Sequence, residues 1–217
     1  MELTRREWHV MTLQGISAGI VAATSPRKVK GQSRFNNVLI GMQSYSCRDM
    51  TLDECIATMQ RLEISSCELW EGHVEPRELR APQNRELLRH WRTTVPLDYF
   101  QRIQDKFNSA GIDLNSYNLS FKDHFSDAEI DRGFAMAKAL GAPAITASAN
   151  MNSVARIAAL AARHGMPVAM HNHSRADPNE FSSPMDFDKA IRLGGPAPIA
   201  INLDIGHMVA ANHDPIA

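Results

Sequence analysis

The chain has 217 residues, 44% of them hydrophobic and 22% charged, with 23 Lys+Arg against 24 Asp+Glu and a formal net charge of -1. That balance supplies no basic track for nucleic acid or an anionic membrane surface, and no apolar run approaches the roughly 18 residues of a spanning helix. The three cysteines, Cys47, Cys55 and Cys67, lack C-x-x-C spacing and are odd in number, which argues against a zinc ribbon and a disulfide framework.

The N-terminal stretch "TRREWHVMTLQGISAGIVAATSP" differs from the rest of the chain. Paired arginines (Arg5, Arg6), an aromatic residue at Trp8 and a modest apolar segment up to Ala23 resemble a bacterial twin-arginine export signal. Arg27, Lys28 and Lys30 count for the alternative, an N-terminal amphipathic helix or disordered arm on a protein that stays cytoplasmic. The expectation is a signal and linker over 1–35, export to the periplasm, and one domain over 36–217.

From Val38 a strand-then-helix rhythm sets in. "VLIGMQSYS" (38–46) is a candidate first strand, followed by a helix over 51–63 that opens on a capping box, Thr51 with Glu54. "SSCELWE" (65–71) is the second strand, with Trp70 expected to pack between sheet and helices. A longer insertion over 80–111 reads as two helices broken near Pro96. The third strand covers 112–121, and the helix over 126–141 has a second capping box, Ser126 with Glu129.

A fourth strand (142–150), a helix (153–165) and a fifth strand beginning at Val168 follow. Pro184 at the first helical position after Ser183 starts a helix over 183–195, and 198–208 is the sixth strand. Repeated units of this kind predict an α/β fold with a parallel sheet. No G-x-G-x-x-G follows the first strand, and polar residues crowd the strand ends, so a (β/α)8 TIM barrel is favoured over an open sheet. Only six strand-helix units are countable, so the expected barrel is incomplete and the chain looks truncated.

The chemistry-bearing residues lie at the C-terminal ends of those strands. In "VAMHNHSR" (168–175), His171 and His173 are two apart and share one face of a strand; Asn172 faces the other way and receives no role. In "NLDIGHM" (202–208), Asp204 ends an apolar strand and His207 follows three residues later. An Asp and a His so placed can share a metal; equally, the Asp can cap the following turn with His207 as its partner. Adjacent strands are about 4.8 Å apart, which brings His171 within reach of Asp204. Glu71 and His73, after the second strand, can meet a ligand from across the mouth.

"NLDIGHMVAAN", "ELWEGHVEP" (68–76), "FSDAEIDRGFAMAKALG" (125–141) and "VAMHNHS" together resemble the sugar phosphate isomerase/epimerase family of xylose isomerase-like TIM barrels. The resemblance implies a divalent ion (manganese, cobalt, zinc or magnesium) in the barrel mouth, with Asp204 as a ligand and His207 contacting substrate. It also implies a reaction that begins by removing a proton next to the carbonyl of a sugar or ketosugar, as isomerase, epimerase or related lyase. His171 falls on or beside the place where the family keeps a fifth-strand glutamate, so the sequence departs from the pattern there. His171 is therefore expected as catalytic residue and metal ligand, with His207, His173, Glu71 and His73 as substrate contacts. With seventh- and eighth-strand ligands lacking, the chain is expected to bind metal weakly and to catalyse poorly or not at all. Two other readings stand beside this one: a non-catalytic exported carbohydrate-binding barrel, and a nuclease like the apurinic endonucleases, which the charge disfavours.

Overall fold

Helices and strands start and stop where the local sequence supplies the means. The computed structural model describes residues 33–216. The order is β1 (Met42–Gln43), α1 (Leu52–Arg61), β2 (Ser66–Trp70), α2 (Arg85–Thr94), α3 (Asp98–Ala110), β3 (Asp113–Asn118), α4 (Asp127–Ala139), β4 (Ile145–Ala147), α5 (Val154–His164), β5 (Val168–His171), α6 (Pro184–Gly194), β6 (Ile199–Asn202) and α7 (Ile205–Ala210). Capping boxes open α1, α4 and α6, through Thr51/Glu54, Ser126/Glu129 and Ser183/Asp186. Gly111 and Gly165 close α3 and α5 in the left-handed conformation, at φ 77 and 60.

The fourth strand, expected over 142–150, spans only Ile145–Ala147, and the first and last strands depart further from expectation. The predicted first strand over 38–46 is divided: Val38–Leu39 pairs antiparallel with Arg34–Phe35, and only Met42–Gln43 joins the main sheet. Asn36 and Asn37 adopt φ 46 and 67, the paired left-handed turn that a two-residue hairpin needs and that asparagine tolerates. The predicted sixth strand over 198–208 ends at Asn202, because Asp204 caps α7. The twin-arginine stretch lies outside the described residues.

The six strands lie in sequence order, β1 to β6, and every neighbouring pair is parallel. Alternation sorts their side chains. Cys67, Leu69, Tyr117, Ile145, Val168 and Met170 face the helices and are buried. There they meet a layer rich in phenylalanine, including Phe100, Phe107, Phe121 and Phe134. The other face is polar. Oε1 of Glu68 accepts from Thr146 Oγ1 at 2.5 Å, Gln43 Nε2 at 2.9 Å and Asn118 Nδ2 at 3.3 Å, with Asn202 Nδ2 at 3.5 Å. Those partners come from β4, β1, β3 and β6, so a carboxylate on β2 gathers the inner face around itself.

Among the described residues no helix is long and apolar enough to cross a membrane.

Candidate metal centre

The strand-end pattern of β5 builds the first half of the site. His171 and His173 point to one side with ring centroids 5.1 Å apart. Asn172 points to the other side, is fully buried, and has a role that the sequence reading did not give it. Its Nδ2 donates to the Asp204 carbonyl at 3.0 Å, and its Oδ1 accepts the Asp204 N–H at 2.8 Å. This reciprocal amide clamp fixes the end of β6 against the end of β5.

Asp204 then does two things. Its Oδ1 accepts the backbone N–H of His207 at 2.8 Å, capping α7 as the plainer of the two sequence readings has it. The cap turns the chain so that His207 Nε2 lies 4.0 Å from Asp204 Oδ2. His171, Asp204 and His207 each offer one ligand atom, all within 4.8 Å of one another. The His207 ring lies 5.8 Å from His171 and 5.6 Å from His173, so three imidazoles surround one space.

The donor set fits a divalent ion. Ligands about 2.0–2.2 Å from a zinc-like ion stand roughly 3–3.6 Å from each other, so modest side-chain rotations close the set. Two imidazole nitrogens and a carboxylate oxygen suit zinc, cobalt or manganese and leave further coordination positions free. Burial, then the charge of His173, pushes the His171 imidazole down to about 4, against the pull of Asp204. His173 is likewise lowered, chiefly by burial, with Glu180 opposing. His171 is therefore neutral near pH 7, the form in which imidazole binds a metal.

His173 is oriented from outside the strand. Its Nδ1 meets Glu180 Oε2 at 3.2 Å, and Glu180 Oε1 accepts from Asn150 Nδ2 at 3.1 Å and Lys122 Nζ at 3.4 Å. Glu180 escaped the sequence reading because it sits in an irregular loop with no period to flag it. Asn172 escaped because its burial depends on which face of the strand end is covered. The sequence signal available for it was its position between two same-facing histidines.

Glu71 and His73 stand apart from this cluster, on a 3-10 turn (Glu71–His73) directly after β2. Glu71 Oε2 accepts the Ser120 N–H at 2.8 Å; burial, then the charge of Glu75, pushes its carboxyl up to about 7. The His73 ring bonds the Cys47 carbonyl at 3.1 Å through Nε2 and packs 5.6 Å from Trp70, so it is tied into the scaffold. Trp70 is on the inner face with Glu68, not between sheet and helices, because the two are two positions apart on the strand, with Leu69 alone between them. Trp70 and Glu71 line a cavity of about 680 Å³ beside the mouth.

No family model matches the chain, and no curated protein matches it significantly. Solved structures do. The probable 3-DHS dehydratase AsbF from Bacillus anthracis, involved in petrobactin synthesis, aligns with TM-score 0.56 and 15% identity over 81% of this chain and 66% of its own. D-psicose 3-epimerase, solved with D-fructose, aligns with TM-score 0.55 and 12% identity over 78% of this chain and 64% of its own. The 3-keto-D-glucoside 4-epimerase YcjR from E. coli gives TM-score 0.52 and 11% identity over 78% and 69%. The fold is a TIM barrel. Six parallel strands of it are described, and the chain spans about two thirds of the length of these three neighbours. At such identities the likeness is one of fold.

Proposed function

We propose that this chain belongs to a metal-dependent isomerase or epimerase that acts on a sugar or ketosugar by removing a proton next to its carbonyl. The observation that carries the reading is the convergence of His171, Asp204 and His207 at neighbouring strand ends of the barrel. His171, Asp204 and His207 would hold the divalent ion, which supplies polarisation of the carbonyl and charge stabilisation to the enediolate when bound. His171 is also the candidate proton acceptor, since its burial keeps Nδ1 or Nε2 unprotonated at neutral pH. Where its lone pair is engaged as a ligand, the proton passes to His173, whose Nδ1 is held by Glu180 so that Nε2 is the free ring nitrogen. Asn172 holds the Asp204 backbone in place, and Glu71 offers a carboxyl to substrate from the adjoining cavity.

Cobalt(II) titration of the chain to saturation, followed by visible absorption and by equilibrium dialysis with metal analysis, tests this reading and registers a weakly held ion. It is expected to approach about one ion per chain, and Asp204→Ala is expected to abolish the occupancy. In D2O, the metal-loaded protein is expected to exchange the carbon-bound proton of a ketohexose faster than the Asp204→Ala variant does. Cobalt uptake equal in the two proteins would refute the metal assignment, and sugar binding indifferent to chelator would favour a non-catalytic binding barrel.

A further inference from the structure

The cavity beside the mouth has a charge pattern that the metal centre does not use. It is lined by six cationic side chains, Arg48, Arg77, Arg80, Arg85, Arg92 and Lys122, against the three carboxyl groups of Asp49, Glu71 and Glu75. Two of the cations are already matched: Arg92 with Glu75 at 2.6 Å and Glu129 at 3.3 Å, and Lys122 with Glu180 at 3.4 Å. Arg48, Arg77, Arg80 and Arg85 have no ion-pair partner among the described residues.

Two of these four are held in place by packing. The Arg48 guanidinium lies 5.1 Å over the Tyr45 ring and that of Arg80 lies 4.9 Å over Trp70; the two rings meet edge to face at 4.9 Å. Arg80 Nη1 donates to the Gly72 carbonyl at 3.2 Å, while Arg80 Nε is buried with no acceptor. Gly72 makes this packing possible, since a Cβ there would collide with both Arg80 Nη1 and the Trp70 ring. Guanidiniums fixed in position in this way suit the paired oxygens of a carboxylate or phosphate through their outward-facing N–H groups. Two successive contacts link the cavity to the metal centre. Lys122 lines the cavity and contacts Glu180, which in turn contacts His173.

The geometry points to an anion subsite, built on Arg80 and completed by Arg48, Arg77 and Arg85, that takes the carboxylate or phosphate of an acidic sugar whose other end reaches His173. The choice of a sugar rests on the proposed function; the preference for an anion does not.

Calorimetric titration of the full chain in chelator, at low ionic strength, tests the subsite without the metal. The probes are D-glucose, D-glucuronate, D-glucose 6-phosphate and inorganic phosphate. One or both charged sugars are expected to bind at least tenfold more tightly than D-glucose, and added salt is expected to weaken them. Whichever of glucuronate and glucose 6-phosphate binds better names the head group, and phosphate binding alone supports the subsite while removing the sugar. The double variant Arg80→Gln/Arg85→Gln is expected to lose at least tenfold in affinity for the anion, with its urea midpoint checked against the parent. Gly72→Ala, which displaces the Arg80 guanidinium, is expected to lose affinity in the same direction. Asp204→Ala, in contrast, should keep the anion affinity, so loss of metal binding and loss of the subsite are separately visible. D-glucose binding as tightly as the charged sugars, no binding of any probe, or anion affinity unchanged in the arginine variant overturns the proposal.

Discussion

Replacing Asn172 with alanine removes a side chain that offers no ligand atom to the ion and holds only the backbone of Asp204, yet it is expected to damage both stability and metal binding. The amide makes two hydrogen bonds, 3.0 Å to the Asp204 carbonyl and 2.8 Å from the Asp204 N–H, from a fully buried position. Each bond contributes about 1 kcal/mol net, and a backbone group left unpaired in the interior costs about 1–3 kcal/mol. Water can reach the rim of the half-buried Asp204 and recover part of that loss, so the expected destabilisation is about 2–3 kcal/mol. With a urea dependence of about 2 kcal/mol per molar, the unfolding midpoint falls by about 1–1.5 M at unchanged slope. The same change frees the end of β6 and with it Asp204 and His207, so cobalt affinity should drop by about 10–100-fold. Urea unfolding followed by far-ultraviolet dichroism, with cobalt titration in native buffer, reads both effects. A midpoint within about 0.2 M of the parent, alongside unchanged cobalt affinity, would show that the clamp does not position the site.

Three further outcomes follow from the geometry. Arg92→Ala leaves Glu75 and Glu129, each almost wholly buried, without their shared guanidinium, and should cost about 3–5 kcal/mol in chemical denaturation; a loss below about 1 kcal/mol would mean that water replaces the arginine. His171, neutral and pushed down to about 4 in the folded chain, contributes stability that is present above pH 6.5 and is lost as pH falls through about 4. The parent's unfolding midpoint should therefore decline over that window more steeply than that of His171→Gln, and parallel curves would contradict the assignment. Gly133→Ala puts a Cβ 2.6 Å from Leu119 Cδ2 and 3.0 Å from Phe121, where α4 packs on the segment that follows β3, and should cost about 1–3 kcal/mol by thermal melting.

Much of this barrel was legible because its signals are local. Thr51 and Ser126 each announce a helix with an acidic residue three positions on, Ser183 does so with Pro184 at the first helical position, and Gly111 and Gly165 end helices as their lack of a Cβ allows. The approach of Asp204 to His207 was legible for the same reason, as the cap holds both in one turn. What stayed hidden depends on contacts distant in sequence. Glu68 and Trp70 read as ordinary strand residues until the register, with its irregularity between Cys67 and Glu68, assigns them to the inner face. The tie from Glu180 to His173 closes over a loop, which no periodicity reports. The first strand was misjudged because a two-residue asparagine turn diverts the chain just where hydrophobicity alone suggests continuity.

The carboxylate of Glu68 has a consequence for how such a barrel varies. Gln43, Asn118, Thr146 and Asn202 reach it from four different strands, so all four share one acceptor. Take the acid away and four polar side chains lose a shared acceptor; exchange one partner for an apolar residue and the others remain committed. The five positions thus form one connected unit, in which a change at Glu68 is felt by all four partners. A slip of one residue in any of the four strands would turn its polar member towards the phenylalanine layer, so the same unit proofreads strand pairing while the chain folds.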